Sequence, residues 1–274
     1  MSGFKLAVCQ LKVSEDKQHN IDHARNMTRL AAEQGAQMVM LPEMFNCPYE
    51  TKLFPLYAED YSSGETVEML SQTASEFGIV LVGGSIPETE LGNVYNTCFV
   101  FGPQGDLLGR YRKTHLFNVD LPGLPVRESE TLTSGYEFTT IDVGIGKIGL
   151  MICFDVRFPE MARLLTLAGI DVLLVPGAFN MVTGPAHWHL TMRVRAMDNQ
   201  IYVAAASPAR DENVTYVAYG HSMIVDPWGE VVAQAGPGEE IIMAEIDRSK
   251  IQSVRERLPL LTQRREDLYS LKKL

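Results

Sequence analysis

With 274 residues, 46% of them hydrophobic and 21% charged, the chain can bury a sizeable core and is too apolar for intrinsic disorder. Its formal net charge of −10 would repel a phosphate backbone, which argues against nucleic acid as a partner. No apolar run reaches the roughly 18 residues a bilayer span requires, and the opening Met1-Ser2-Gly3-Phe4-Lys5 enters a strand-like stretch with no charged-then-apolar leader.

In chain order, the hydrophobic pattern predicts a buried strand over 4–11, an amphipathic helix over 20–34 and a short buried strand over 38–41. A second helix is expected at 66–77 and a strand at 79–82. Two β segments, 97–101 and 107–111, flank a turn at Pro103, Gln104 and Gly105. The second half then repeats the first. GAQMVMLPEMFN at 35–46 aligns with GIDVLLVPGAFN at 169–180, and 79–85 aligns with 201–207. The hairpin at 97–108 matches 222–232 through a shared Pro and Gly, and Lys5-Leu6-Ala7-Val8 resembles Lys147-Ile148-Gly149-Leu150. Strands alternating with helices give the class α/β. Two similar units, 4–112 and 138–247, related by a pseudo-twofold axis, would pack their bare sheet faces together as a four-layer αββα sandwich. No flexible Gly/Ser linker separates them, so a single domain over 4–247 is expected, followed by a C-terminal extension at 248–274.

The duplication also singles out chemistry. Glu43 stands where the second half has Gly177, an acidic side chain directly after a buried strand and a proline. Its desolvated carboxylate would suit a general base, and a salt bridge that ties down a loop is the plainer alternative. Cys153 closes the apolar run 148–152, ahead of a helix that Pro159 would open and 161–168 would continue. A thiol at a strand's C-terminal end, with Arg157 nearby, suits a nucleophile; a small buried core residue fits the same position. Lys113 ends a basic run from Arg110 and is either an exposed cation or an oxyanion donor, which spacing does not decide. The six histidines show no ligand spacing that would support a metal site from His187, His189 and His221. The four cysteines (Cys9, Cys47, Cys98, Cys153) form no CxxC pair, which suits a reducing compartment and places the chain in the cytoplasm by default, with a mitochondrial pool not distinguished.

With Glu43, Lys113 and Cys153 in view, the chain resembles the nitrilase superfamily of carbon–nitrogen hydrolases over nearly its whole length, and most closely its omega-amidase branch. The motifs that carry the resemblance are LPEMFNCPY at 41–49, YRKTHLFNVDLPG at 111–123 and GLMICFDVRFPE at 149–160, with PGAFNMVTGPAHWHL at 176–190 and RAMDNQIYVAAASPARD at 195–211 pointing to that branch. The resemblance implies an αββα fold and a Glu–Lys–Cys triad: Glu43 as base, Cys153 as nucleophile, and Lys113 with the backbone N–H of Phe154 as oxyanion donors. It implies a supporting glutamate at Glu128. It further implies hydrolysis of the terminal amide of short dicarboxylic monoamides, such as 2-oxoglutaramate and 2-oxosuccinamate, through a cysteine thioester. Such a substrate needs a cationic seat for its far carboxylate, for which Arg157 is the candidate, with Tyr49 and Thr183 as hydroxyl partners. Within the family, deaminated glutathione or an N-carbamoyl amine is the alternative substrate; outside it, a non-catalytic binding protein on the same fold. No cofactor or metal is implied. A homodimer is, and the tail at 251–274, with Arg255, Arg257, Arg264 and Arg265 among apolar residues, would pack on a neighbour or on its own surface.

Overall fold

Alternation in the first strand, β1 (Phe4–Gln10), sets the layering. Phe4, Leu6 and Val8 point into a core shared with a second sheet, while Ala7 and Cys9 point into a separate core beneath helices. The computed structural model describes residues 3–121 and 124–273; Pro122 and Gly123, which close the motif at 111–123, and Leu274 at the end of the extension lie outside the described residues.

After β1 come α1 (Lys17–Glu33), β2 (Met38–Met40), α2 (Phe54–Tyr57), α3 (Glu65–Phe77), β3 (Val80–Val82), β4 (Ile86–Glu90), β5 (Asn93–Phe101) and β6 (Leu107–Arg112). A hairpin of β7 (Asn118–Leu121) and β8 (Leu124–Arg127) leads to β9 (Thr140–Asp142) and β10 (Lys147–Leu150). Then follow α4 (Pro159–Leu167), β11 (Val172–Pro176), α5 (Thr183–Asn199), β12 (Tyr202–Ala206), β13 (Met223–Val225), β14 (Val231–Gln234), β15 (Glu240–Ile246) and α6 (Arg248–Arg257).

One sheet runs β15-β1-β2-β3-β5-β4, with β6 also on β5; the other runs β14-β13-β12-β11-β10-β9. Each has a parallel centre, β1-β2-β3 and β10-β11-β12, with antiparallel flanks. The first sheet packs on α1 and α3 through Ile21, Ala24, Val67 and Leu70, and the second on α4 and α5 through Met161, Leu165, Met192 and Ala196. Between the sheets, Leu6, Val8, Met40 and Val82 share one core with Ile148, Leu150, Leu174 and Val203. The layers are therefore α, β, β, α, as the duplication predicts.

The division of the halves differs from the sequence expectation at one element. β15 falls in the second half by sequence, yet it pairs antiparallel with β1 from Phe4↔Ile246 to Gln10↔Glu240. The reason is edge protection: β9 covers the corresponding edge at β10, and β15 covers the edge that β1 would otherwise leave open. α1 starts three residues before the expected helix because the Asp16 carboxylate caps it, accepting from the His19 N–H at 3.0 Å. α5 was not legible as a helix; its start is fixed by Asn180 Oδ1, which accepts from the N–H groups of Val182 and Thr183, each at 2.9 Å.

Candidate active site

Three parallel strands and one antiparallel strand deliver the candidate residues to one end of the sandwich. β2 ends at Met40, and the chain turns through Leu41 and Pro42 to Glu43. Gly84 is what lets that turn sit so close: it has φ +49°, and a Cβ there would lie 2.1 Å from the Pro42 carbonyl oxygen. Glu43 is fully buried. Its Oε1 accepts from Lys113 Nζ at 2.9 Å and Asn96 Nδ2 at 3.0 Å, and its Oε2 accepts from the Ala178 N–H at 2.8 Å.

Lys113 follows directly on β6, and its ammonium is fully buried between two carboxylates. Besides Glu43 it donates to Glu128 Oε1 at 2.9 Å. Glu128 in turn accepts from the Tyr49 hydroxyl at 2.6 Å and, through Oε2, from the Phe117 N–H at 2.6 Å. Burial pulls the Lys113 ammonium down, and the Glu128 and Glu43 carboxylates more than reverse it, so the lysine stays charged. Two buried carboxylates facing one ammonium leave a surplus negative charge. Burial is the main force raising the Glu43 carboxyl above the usual carboxylate range; Lys113 opposes the rise and Glu128 adds to it.

Cys153 lies just past β10, where the Met151 N–H still bonds the Leu174 carbonyl at 3.1 Å. The backbone then breaks sharply. Cys153 takes φ 49°, a left-handed conformation rare for a side chain of this kind, and heads a 3₁₀ turn over Cys153–Arg157. In the first turn of such a helix the amides have no acceptor within the helix, so the Phe154 N–H is free to face a ligand atom. Burial and then Glu43 push the Cys153 thiol well above its ordinary value; Lys113 and the Ala178 N–H work the other way. The thiol therefore keeps its proton at rest, beside the Glu43 carboxyl.

A buried carboxylate that sequence reasoning missed holds this turn in place. Asp155 Oδ2 accepts from the Ile152 N–H at 2.9 Å and the Tyr111 hydroxyl at 2.7 Å. Its Oδ1 accepts from the His115 N–H at 2.8 Å and the Thr114 hydroxyl at 3.0 Å, and lies 2.7 Å from His115 Nδ1. Asp155 therefore locks the Cys153 turn to the segment that carries Lys113. The available signal was an acidic residue two positions past the cysteine in an otherwise apolar stretch. Gly177, the template partner of Glu43, also serves the site: a Cβ there would come within 3.5 Å of Cys153 Cα and 3.3 Å of Trp188.

The remaining candidates separate. Arg157 and Thr183 line one narrow pocket with Cys153, Phe154, Phe179 and Tyr216. The Arg157 guanidinium lies over the Phe179 ring at 4.5 Å, shares a hydrogen bond with His187 Nδ1 at 3.2 Å, and has no carboxylate partner among the described residues. Tyr49 is not in that pocket; its hydroxyl is committed to Glu128 and its ring stacks on Tyr216 at 4.4 Å. Of the histidines considered together, His187 meets Arg157, while the rings of His189 and His221 lie 5.9 Å apart. Among the described residues no group of three His, Cys, Asp or Glu side chains is arranged to hold a metal ion.

The arrangement can take a proton from a thiol, bind a developing oxyanion by an ammonium and a backbone N–H, and hold an anion beside the sulfur. Comparison with known proteins agrees in kind. The carbon–nitrogen hydrolase family model matches residues 5–256. The omega-amidase NIT2 of Xenopus tropicalis is 53% identical over 272 residues, which cover 99% of this chain and 98% of that one. Among solved structures, Saccharomyces cerevisiae Nit3, a member of branch 10 of the nitrilase superfamily, superposes with a TM-score of 0.89 at 44% identity, covering 96% of this chain and 97% of its own. An amidase variant from Nesterenkonia sp. AN1 superposes at 0.81 with 26% identity, covering 97% and 96%; it carries the acetamide moiety of fluoroacetamide added covalently at its active-site cysteine.

Proposed function

The chain belongs to the carbon–nitrogen hydrolase family, and from that premise we propose that it is an omega-amidase, releasing ammonia from short dicarboxylic monoamides such as 2-oxoglutaramate and 2-oxosuccinamate. The observation that carries the proposal is the placement of Glu43, buried between the Cys153 thiol and the Lys113 ammonium with its carboxyl raised above the ordinary range. Glu43 takes the thiol proton as sulfur attacks the amide carbon, so the buried thiolate never stands alone. Lys113 and the Phe154 N–H stabilise the oxyanion, a role in which one donor is worth about 10²–10³ in rate. Glu43 passes its proton to the leaving nitrogen, and Glu128 keeps Lys113 aimed. Water activated by Glu43 then cleaves the thioester.

Arg157, next to the sulfur and without a carboxylate of its own, is the seat proposed for the substrate's far carboxylate, with Thr183 beside it. The described residues contain no helix long and apolar enough to cross a membrane, and the four cysteines are free and buried, which suits a reducing compartment such as the cytoplasm. A homodimer formed through the exposed apolar face of α5 completes the reading.

The test is ammonia release from 2-oxoglutaramate, 2-oxosuccinamate, deaminated glutathione, N-carbamoylputrescine and a simple nitrile, each with wild type and Cys153→Ala. The two oxo-acid amides should lead the wild-type panel, and Cys153→Ala should abolish turnover. Rapid quench and mass spectrometry should find the acyl group on Cys153. Preference for any of the other three, or ammonia release by the alanine variant, rejects the assignment.

A further inference from the structure

Glu43 and Cys153 open onto different cavities. The narrow pocket with Cys153, Arg157 and Thr183 is not lined by Glu43. Glu43 instead lines a larger cavity of about 150 Å³, which neither Cys153 nor Arg157 reaches. Ala178 and Tyr216 line both, so the two cavities adjoin at these residues. Tyr216 is fixed there by its hydroxyl, which donates to the Ala178 carbonyl at 2.6 Å, and by its stacking on Tyr49.

Size and charge describe an occupant. A water molecule needs roughly 10–15 Å³ on this scale, and ammonia is of similar size, so the space exceeds what ammonia requires by on the order of tenfold. Glu15, Glu50 and Asp211 lie in its lining, and no lysine, arginine or histidine does. Lys12 stands near Asp211, and Lys17, near Cys47, is paired with Glu59, so the rim remains net negative.

The chemistry puts the leaving nitrogen on this side. When the C–N bond breaks, its electron pair goes to nitrogen, which receives from Glu43 the proton that came from the thiol. The acyl carbon stays on sulfur, facing Arg157. Water then adds and gives a proton to Glu43; the C–S bond breaks with its pair on sulfur, and the thiol is restored. The sum is one amide plus one water giving one acid and one amine. We propose that the cavity beside Glu43 is a leaving-group compartment, so that the enzyme also hydrolyses N-alkyl monoamides and prefers those whose amine carries a positive charge. The proposal rests on the assignment of Glu43 and Cys153 given above.

The test uses succinamate and its N-propyl, N-(2-aminoethyl) and N-(2-carboxyethyl) derivatives, with succinate release as the readout. Hydrolysis of the propyl and aminoethyl compounds is expected, with kcat/KM for aminoethyl at least tenfold above carboxyethyl. Glu50→Gln combined with Asp211→Asn should narrow that ratio at least threefold. Glu212→Gln, exposed and off the cavity lining, should leave it unchanged. Turnover of succinamate but of none of its derivatives overturns the compartment while sparing the amidase reading, as does a charge preference that the double variant does not alter. Failure on succinamate itself overturns the reading beneath it.

Discussion

Glu43, Glu128 and Lys113 are all fully buried, so their charge count governs what each can do. One ammonium neutralises one carboxylate, and Glu43 is the member left in contact with the thiol. Glu43→Gln removes the surplus charge and leaves Lys113 with Glu128 alone. Because the folded carboxyl of Glu43 is raised, its contribution to stability is present below the unfolded carboxylate pKa and is lost as pH rises through the folded one. Glu43→Gln should therefore raise Tm at pH 7 and lose that advantage near pH 4, while kcat falls by about 10²–10⁴. Equal melting of the two proteins at both pH values would refute the charge count. Activity in wild type should fall as pH drops through a value above the ordinary carboxylate range. The opposite deletion behaves differently: Lys113→Met strands two buried carboxylates and should cost about 3–5 kcal/mol in urea unfolding, besides its loss of rate. In the sequence, Glu43 was legible because a duplicated template offered Gly177 for comparison. Lys113 was singled out by its family motif and not by spacing, since its partners lie 70 and 15 residues away and only the fold shows that it is buried.

The element that concentrates the chemistry is the 3₁₀ turn over Cys153–Arg157, which aims a thiol, a free N–H and a guanidinium from five consecutive residues. Its positive φ at Cys153 costs of order 1–3 kcal/mol and persists only if the surroundings over-determine it. Asp155 is the chief restraint, accepting from both the turn and the segment at 111–115. Asp155→Ala should destabilise the chain by roughly 3 kcal/mol, in line with the loss of hydrogen bonds to a charged group, and cut kcat more than it raises KM. A KM effect alone would place Asp155 in substrate binding instead. Gly177→Ala probes the same element from β11: a methyl within 3.3 Å of Trp188 and 3.5 Å of Cys153 Cα should cost about 1–3 kcal/mol and lower kcat. Sequence pattern found the strand before the turn and the helix after it. The turn itself was out of reach, because its geometry is imposed by residues some 40 positions upstream and not by local propensity. α5 was hidden for a related reason: its ends are fixed by Asn180 and by Gln200 in a left-handed conformation, not by a clean apolar stripe.

At the scale of the whole molecule, the repeat made the four layers legible, and the crossing of β15 was the part it could not show, since a repeat assigns β15 to the second half and does not say which sheet edge it pairs with. That crossing ties the C-terminal residues to the first strand. A chain ending at residue 239 would leave β1 open over residues 4–10 and should aggregate, whereas one ending at 262 keeps β15 and α6 and should fold. The second sheet's helical layer faces outward with a different problem. Leu190 and Met197 are 64% and 45% exposed, one face of α5 apart by two turns, and Trp228, at 54%, lies on the turn that packs there, since Arg193 Nε donates to the Gly229 carbonyl at 2.8 Å. Leu258 and Leu260 extend the patch near the end of α5, where Gln200 Nε2 donates to the Leu258 carbonyl. In the proposed homodimer, two-fold pairing of α5 with its copy would cover these apolar side chains and lengthen the sandwich by a second set of layers. Light scattering of the wild type at micromolar concentration should therefore give twice the 30.5 kDa chain mass. Leu190→Glu with Met197→Glu places four like charges across the two-fold axis and should yield a monomer whose far-UV circular dichroism is unchanged. A wild type that stays monomeric, or a double variant that stays dimeric, moves the interface away from α5.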